Sequence, residues 1–535
     1  MKTIFTVLLL FLLGIDSILN AQVASKKSLS TSDFATWKVI NNPIVSDDGK
    51  YVSYEVNPLK GNGVLVLKLT EGKKEDIFPR GYGASFSSES DFIVFKIKQP
   101  ADSIRSAKKK KLKKEQMPKD SLGIFVFRQH KTFKYPNLKQ YSLPKENATW
   151  IAFLTDMKKV KKKAGKDSDD KKISDQKPKK TDSDDQKSQL VLFNSETGDT
   201  ICYQNITEYY YSPKGQTVTF IRQTKDSLDR AEILVFNTKT KQTSVVFDRL
   251  GTAKKIVTDA QGGRLGFVFS SDTAKVKTYD LFYGSITSGE PRAVVLPAML
   301  GLPVSWSPSE FGDLSFSDNG VHLYFGTNKI PQPEPKDTLL EDEKPMLDVW
   351  AYKDRELQPE QKINLEKEKK RTYKAVYLVD KEKFNQLADP EIREIRTIQK
   401  GNGHVALGID QTPYKLASSW TGKSNADYYL VDIETGIKRL ILKNKSFATL
   451  SPGGHFVVWY NLPDSAYYSI SLEDEKAEPV KLTKQLNILF TDERWDMPGD
   501  PALYGVAGWS ENDKYVFIYD RYDIWRFDLE GNKFR

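Results

Sequence analysis

Along most of the chain, clusters of small polar residues are followed by short runs of β-forming apolar residues. Ile44-Val45-Ser46-Asp47-Asp48-Gly49-Lys50-Tyr51-Val52-Ser53-Tyr54 is the first clear case. The same order returns at residues 85–95, 211–220, 257–267, 316–325, 450–459 and 509–519, with degenerate copies at 148–153 and 402–407. Ser or Asp beside Gly closes a tight turn, because Gly accepts positive φ and short polar side chains bond local backbone. The alternating apolar residues that follow suit a strand in a packed sheet. A second turn often follows, as in Leu430-Val431-Asp432-Ile433-Glu434-Thr435-Gly436, and again around Asn194, Asn237 and Asp528. Two hairpins per unit make a four-stranded sheet. Successive copies lie 41 residues apart (Ser46 to Ser87), 46 apart (Ser212 to Thr258) and 59 apart (Ser451 to Ser510). Propeller blades recur every ~40–50 residues, so the longer intervals imply inserted loops. The expected fold is all-β: a β-propeller of seven to nine four-stranded units over residues 22–535, the last one incomplete. A β-sandwich would supply hairpins too, but it does not explain serial units of two.

Three segments interrupt the pattern: a basic one at 104–120, a Lys/Asp-rich one at 157–188, and a Pro- and charge-rich one at 331–370. They also explain the charge. The chain carries a formal +10, which alone would suggest a polyanionic partner. Residues 105–120 hold +6 and residues 157–188 hold +5, so the rest is close to neutral. Residues 157–188 contain little that could bury apolar area, and we expect a disordered loop there. The run Lys108–Lys114 predicts a turn or two of exposed helix. Glu382–Gln399 predicts a short helix interrupted near Pro390.

The N-terminus predicts the compartment. Met1-Lys2-Thr3 is a short basic start, Ile4 to Leu13 is a ten-residue apolar run, and Leu19-Asn20-Ala21-Gln22 suits cleavage after Ala21. This is the layout of a secretory signal peptide over residues 1–21, with an apolar run too short to span a bilayer. The expectation is a periplasmic or secreted protein with no transmembrane span. The single cysteine, Cys202, permits no intrachain disulfide and reads as a small buried hydrophobe. Four histidines (His130, His322, His404, His455) leave little for a histidine-rich metal centre.

Catalytic signatures do not emerge. No Gly-x-Ser-x-Gly elbow is present, and the near misses at Gly83–Ser87 and Gly508–Asn512 fall within blade turns. Thr421-Gly422-Lys423-Ser424 has the ending of a phosphate loop without its first Gly or the long helix that should follow. Asp47-Asp48 and Asp169-Asp170 are explained by turn chemistry and solvation without calcium. Tyr209, Tyr210, Tyr211, Trp459 and Trp525 sit in the β-rich runs and are expected between blades, not stacked on nucleic acid. The sequence therefore nominates no catalytic, cofactor-binding or metal-binding residue, no cofactor, and no nucleic-acid partner.

Three stretches together resemble the N-terminal part of Bacteroidetes-type serine peptidases of the prolyl oligopeptidase family. One runs from Asp492-Glu493-Arg494-Trp495-Asp496 through Pro498-Gly499-Asp500 and Tyr504-Gly505 to Tyr519-Asp520-Arg521-Tyr522-Asp523-Ile524-Trp525. Another is Pro333-Glu334-Pro335-Lys336-Asp337, then Asp348-Val349-Trp350 and Leu357-Gln358-Pro359-Glu360-Gln361. The third is His130-Lys131-Thr132-Phe133 followed by Trp150-Ile151-Ala152-Phe153. The resemblance implies a propeller joined to an α/β-hydrolase domain that carries a Ser-Asp-His triad, the propeller admitting short peptides and excluding folded proteins. No triad residue can be carried over, since the chain stops before any hydrolase domain. The acidic residues with which some relatives hold a peptide amino terminus have no match.

The implied function is thus the non-catalytic propeller portion of an exported serine peptidase, gating short peptides toward a hydrolase domain absent from this chain. The final unit, turning at Glu530-Gly531-Asn532, has barely begun its last strand, which suggests a fragment. The competing expectation is a stand-alone periplasmic propeller that binds a protein, peptide or glycan.

Overall fold

The computed structural model describes residues 28–34, 36–156, 188–225, 228–333, 339–340, 343–344, 347–484 and 486–531. The expected signal peptide and nearly all of the Lys/Asp-rich segment lie outside the described residues; Ser188, counted above as the end of that segment, opens a strand.

The described residues form nine antiparallel sheets in strict chain order. Sheet 1 spans residues 38–79, sheet 2 81–135, sheet 3 138–204, sheet 4 206–250, sheet 5 252–295, sheet 6 306–386, sheet 7 394–445, sheet 8 448–481 and sheet 9 506–528. Seven are four-stranded meanders, sheet 6 adds a two-residue strand, and sheet 9 has three strands among the described residues. This is the blade construction of a β-propeller. The chain divides into two compact units, residues 1–138 and 139–535. The first holds sheets 1 and 2, the second sheets 3 to 9.

In the second unit each sheet packs face to face on the next. Trp150, Leu154 and Leu192 of sheet 3 meet Ile206, Phe220 and Phe236 of sheet 4. Ile233 and Phe247 of sheet 4 meet Phe267 and Phe282 of sheet 5 on their other side. The sequence of shared cores continues through sheets 6, 7 and 8 to Val516, Ile518 and Phe527 of sheet 9. In the first unit, Leu65, Leu67 and Phe78 of sheet 1 pack on Ile93, Phe95 and Phe125 of sheet 2. A middle strand is therefore covered on both faces. That is why the second strands read as nearly continuous apolar runs rather than the expected alternation: six of the seven residues of Trp150–Asp156, and of Arg264–Ser270, are buried. Each fully buried Phe or Leu contributes about 1.5–3 kcal/mol.

In seven of the nine sheets, all but sheets 3 and 7, the turns between first and second strands share one hydrogen-bond pattern. The N–H of a Ser bonds the carbonyl five residues on, and its hydroxyl accepts the N–H of that same residue. The pairs are Ser46/Tyr51, Ser87/Phe92, Ser212/Thr217, Ser317/His322, Ser451/Phe456 and Ser510/Tyr515. In sheet 5 the residue in this role is Asp259, whose Oδ1 accepts Gly263 and Arg264 N–H, and not Thr258 as the spacing suggested. Oxygen chemistry, not residue size, is what the turn selects.

Three other expectations are corrected, and one segment gains an element. Cys202 is exposed: it lies on the fourth, outermost strand of sheet 3, Thr200–Gln204, where alternate residues face water. Residues 382–399 form two short strands, Lys383–Gln386 and Glu394–Thr397, because Phe384 reaches the core between sheets 5 and 6 while Leu387 and Ile395 reach the core between sheets 6 and 7. The 331–370 segment contains a twelve-residue helix, Gln358–Lys369. In the basic segment the helix covers Ala101–Lys109 and ends within the Lys run. The aromatics meet expectation: Tyr209, Tyr211 and Trp459 are buried between sheets, and Tyr210 and Trp525 pack against those cores.

Candidate functional site

Every insertion leaves from the same connection, the one between second and third strands. It lies between Ile97 and Ser121 in sheet 2, Asp156 and Ser188 in sheet 3, Lys329 and Tyr373 in sheet 6, and Asp410 and Ala426 in sheet 7. In a meander this connection lies opposite the Ser turns. In sheets 6 and 7 two insertions meet, and a cavity of about 330 Å³ opens between them.

The first wall is the helix Gln358–Lys369. Pro359 occupies its first turn, where a missing N–H costs nothing, with Glu360 beside it and Lys367 and Lys369 in the last turn. None of its residues is buried, so no apolar face fixes it. Charge pairs do. Lys415 of the sheet-7 insertion reaches Glu360 at 2.9 Å and Glu356 at 3.8 Å. Arg371 grips Glu368 with two nitrogens, its Nε at 2.6 Å from Oε2. That guanidinium holds the Glu368 carboxyl below the ordinary carboxylate value, against the opposing effect of burial.

The second wall is the link from sheet 6 to sheet 7. Asp389 Oδ1 accepts the N–H groups of Glu391 and Ile392 at 2.9 and 2.7 Å, fixing a turn that places Glu391, Arg393 and Glu394 on the cavity. Burial raises the Asp389 carboxyl, but its bond from Lys438 and the two N–H groups outweigh that and leave it lowered. The third wall is the start of the sheet-7 insertion. Asp410 Oδ1 accepts Thr412 N–H at 2.8 Å and turns the chain into the helix Lys415–Thr421. Tyr414 anchors it by donating to Asp427 at 2.6 Å; burial, with that carboxylate, pushes the phenol up to about 12. Gly422, singled out above within a phosphate-loop-like ending, terminates this helix at φ +70°, a role Gly fills without strain. Ile409 gives the cavity an apolar floor.

The lining is charged: Arg355, Lys367, Arg371, Arg393 and Lys415 against Glu356, Glu368, Glu391 and Glu394. Such a cavity can recognise charged and hydrogen-bonding groups. The sequence nominated no site residue, although it marked 331–370, which supplies one wall. It missed Glu391, Arg393 and Lys415. The alternating charges of 391–396 are the available signal, within the stretch 382–399 expected to be a short helix.

No family model matches the chain, and no curated protein matches it. Solved structures do, at low identity. The chain is similar to a eukaryotic initiation factor (9% identity, 85% of this chain and 89% of that one, TM-score 0.39). It is similar to the β-propeller domain of the Trilobed protease from Pyrococcus furiosus (8%, 76% and 99%, TM-score 0.29). It is also similar to the Porphyromonas gingivalis dipeptidyl peptidase 4 (12%, 65% and 49%, TM-score 0.33). At these values the likeness assigns no residue of this chain a role.

Proposed function

We propose that this chain is the non-catalytic propeller portion of an exported serine peptidase of the prolyl oligopeptidase family, and that it admits short peptides rather than cutting them. The observation that carries this reading is the charged cavity on the insertion side of sheets 6 and 7. About 330 Å³ accommodates a few residues of extended peptide and no folded domain. Two of the three family-like stretches support it from their places in the fold. Residues 333–361 lie in the insertion that walls the cavity, and residues 492–525 lead into and build sheet 9.

The experiment is to read the coding DNA beyond the codon for Arg535. An open frame encoding a Gly-x-Ser-x-Gly elbow supports the proposal, and an immediate stop codon overturns it in favour of a stand-alone binding propeller. Export is tested by sequencing the mature N-terminus, where Gln22 is expected as the first residue.

A further inference from the structure

We infer that the cavity between the sheet-6 and sheet-7 insertions binds a carboxylate, either the free C-terminus or an acidic side chain of a short peptide, through Arg355, Lys367 and Arg393. This rests on reading the cavity as a peptide contact surface and adds what that surface selects.

The argument is the pairing of its charges. Arg371 is engaged by Glu368 through two nitrogens. Lys415 is engaged by Glu360 and Glu356. Glu394 is engaged by Arg396 at 2.7 Å. What remains is mostly cationic. Arg393 gives its Nε to the Pro390 carbonyl at 3.0 Å and touches Glu368 only at 3.9 Å, so its terminal nitrogens are largely unspent. Arg355 and Lys367 form no ion pair within 4.0 Å among the described residues, and Lys367 acts on Glu368 only through space. The Asn364 and Gln411 side-chain amides also line the cavity and make no hydrogen bond among the described residues. Against these donors stands one spare carboxylate, Glu391. A cavity with surplus N–H donors and a net surplus of positive charge is complementary to an anion. The fork of an arginine matches the two oxygens of a carboxylate. Glu391 opposes the same ligand and tunes its affinity down.

The test uses the whole chain and isothermal titration at low salt. The probes are trialanine and its C-terminal amide, with N-acetyl-Ala-Asp-Ala-amide and N-acetyl-Ala-Asn-Ala-amide as the side-chain pair. The expected result is that at least one acid binds about tenfold or more tighter than its amide and that added salt weakens it. Arg355→Gln and Lys367→Gln should each reduce that affinity about two- to fivefold. Glu391→Gln should raise it about two- to fivefold, a gain that misfolding cannot imitate. Two results overturn the inference and are distinguishable. If acids and amides bind equally, the cavity holds peptide without selecting charge, and the functional reading stands alone. If no probe binds, the cavity is not a peptide surface and both fall.

Discussion

The two ends of sheets 3 to 9 are built on opposite rules. At one end lie the turns between first and second strands, closed by their own Ser or Asp in sheets 4, 5, 6, 8 and 9 and each bonded to the next. Lys145 N–H reaches Pro213 O at 2.9 Å, Lys214 N–H reaches Ala260 O at 3.2 Å, and Arg264 reaches Gly320 O at 2.8 Å. Asn319 N–H then reaches Asn402 Oδ1, Gln399 reaches Pro452 O, and Ser451 donates to Asp513 Oδ2 at 2.5 Å. The series links sheet 3 to sheet 9 without a gap. At the other end the connections differ in length and sequence, carry exposed apolar residues such as Trp350, Ile363 and Trp420, and are tied by ion pairs. The first arrangement depends on hydrogen bonds to backbone groups of the adjacent turn and on close packing, the second on solvated charge. Regularity therefore holds the sheets in register, and the irregular end is free to differ and to bind.

The largest break in that contrast should come from the core. Phe267→Ala removes a fully buried ring packed on Phe247 and Phe282 and should cost about 3–5 kcal/mol. Ile363→Ala, 83% exposed on the insertion helix, should cost less than about 0.5 kcal/mol in the same urea titration. Equal effects would erase the distinction.

Next comes the turn series. Asp513 is 1% exposed and accepts from Ser451 Oγ, Gly453 N–H and His455 N–H. Asp513→Ala strands the buried Ser451 hydroxyl and the half-buried Gly453 N–H and should cost about 1–3 kcal/mol; Asp513→Asn, which keeps one acceptor oxygen, should recover part of that loss in thermal melts. Gly215→Ala follows. Gly215 holds φ +69°, and a Cβ there would lie 2.4 Å from the Glu146 carbonyl of the neighbouring turn. A loss of about 1–3 kcal/mol is expected, and a neutral result would mean that the turns approach less closely than described.

The smallest effects belong to the insertion end. Lys415→Ala should lower global stability by less than about 1 kcal/mol, while hydrogen exchange across residues 355–371 rises. Acid should act in the same place. Glu368 and Asp389 titrate below their ordinary 4.5 and 3.8, so their stabilisation is complete above those values and is lost as pH falls below them. Limited proteolysis should show the insertions loosening below about pH 4, before the sheets unfold. Simultaneous loss would show that the two ends are coupled.

These two ends also differ in how far they can be read from sequence. The Ser turns are local: six residues contain the whole hydrogen-bond set, so all seven copies were visible, and Thr258 stood in for Asp259 only because both carry an accepting oxygen. The second hairpins were visible for the same reason, with Asn194, Asn237 and Asp432 each accepting N–H groups two or three residues on. The cavity is nonlocal. Lys415 and Glu360 are far apart in sequence and meet only because sheets 6 and 7 pack together. Residues 382–399 failed as a helix because Phe384, Leu387 and Ile395 gain more from the inter-sheet cores than the backbone gains from helix propensity. Cys202 failed because residue type does not tell which strand of a sheet is outermost.

The rungs beneath the insertions carry one more consequence. Ile97 pairs with Ser121, Asp156 with Ser188, Thr327 with Tyr373 and Asp410 with Asp427. Each excursion thus departs from and returns to two strands that the ladder already holds side by side. Once the ends are pinned, lengthening a loop is cheap, about 0.6 kcal/mol for each doubling. The same four gateways can therefore take on new segments over evolutionary time, or engineered ones at the bench, while the sheets below keep their register.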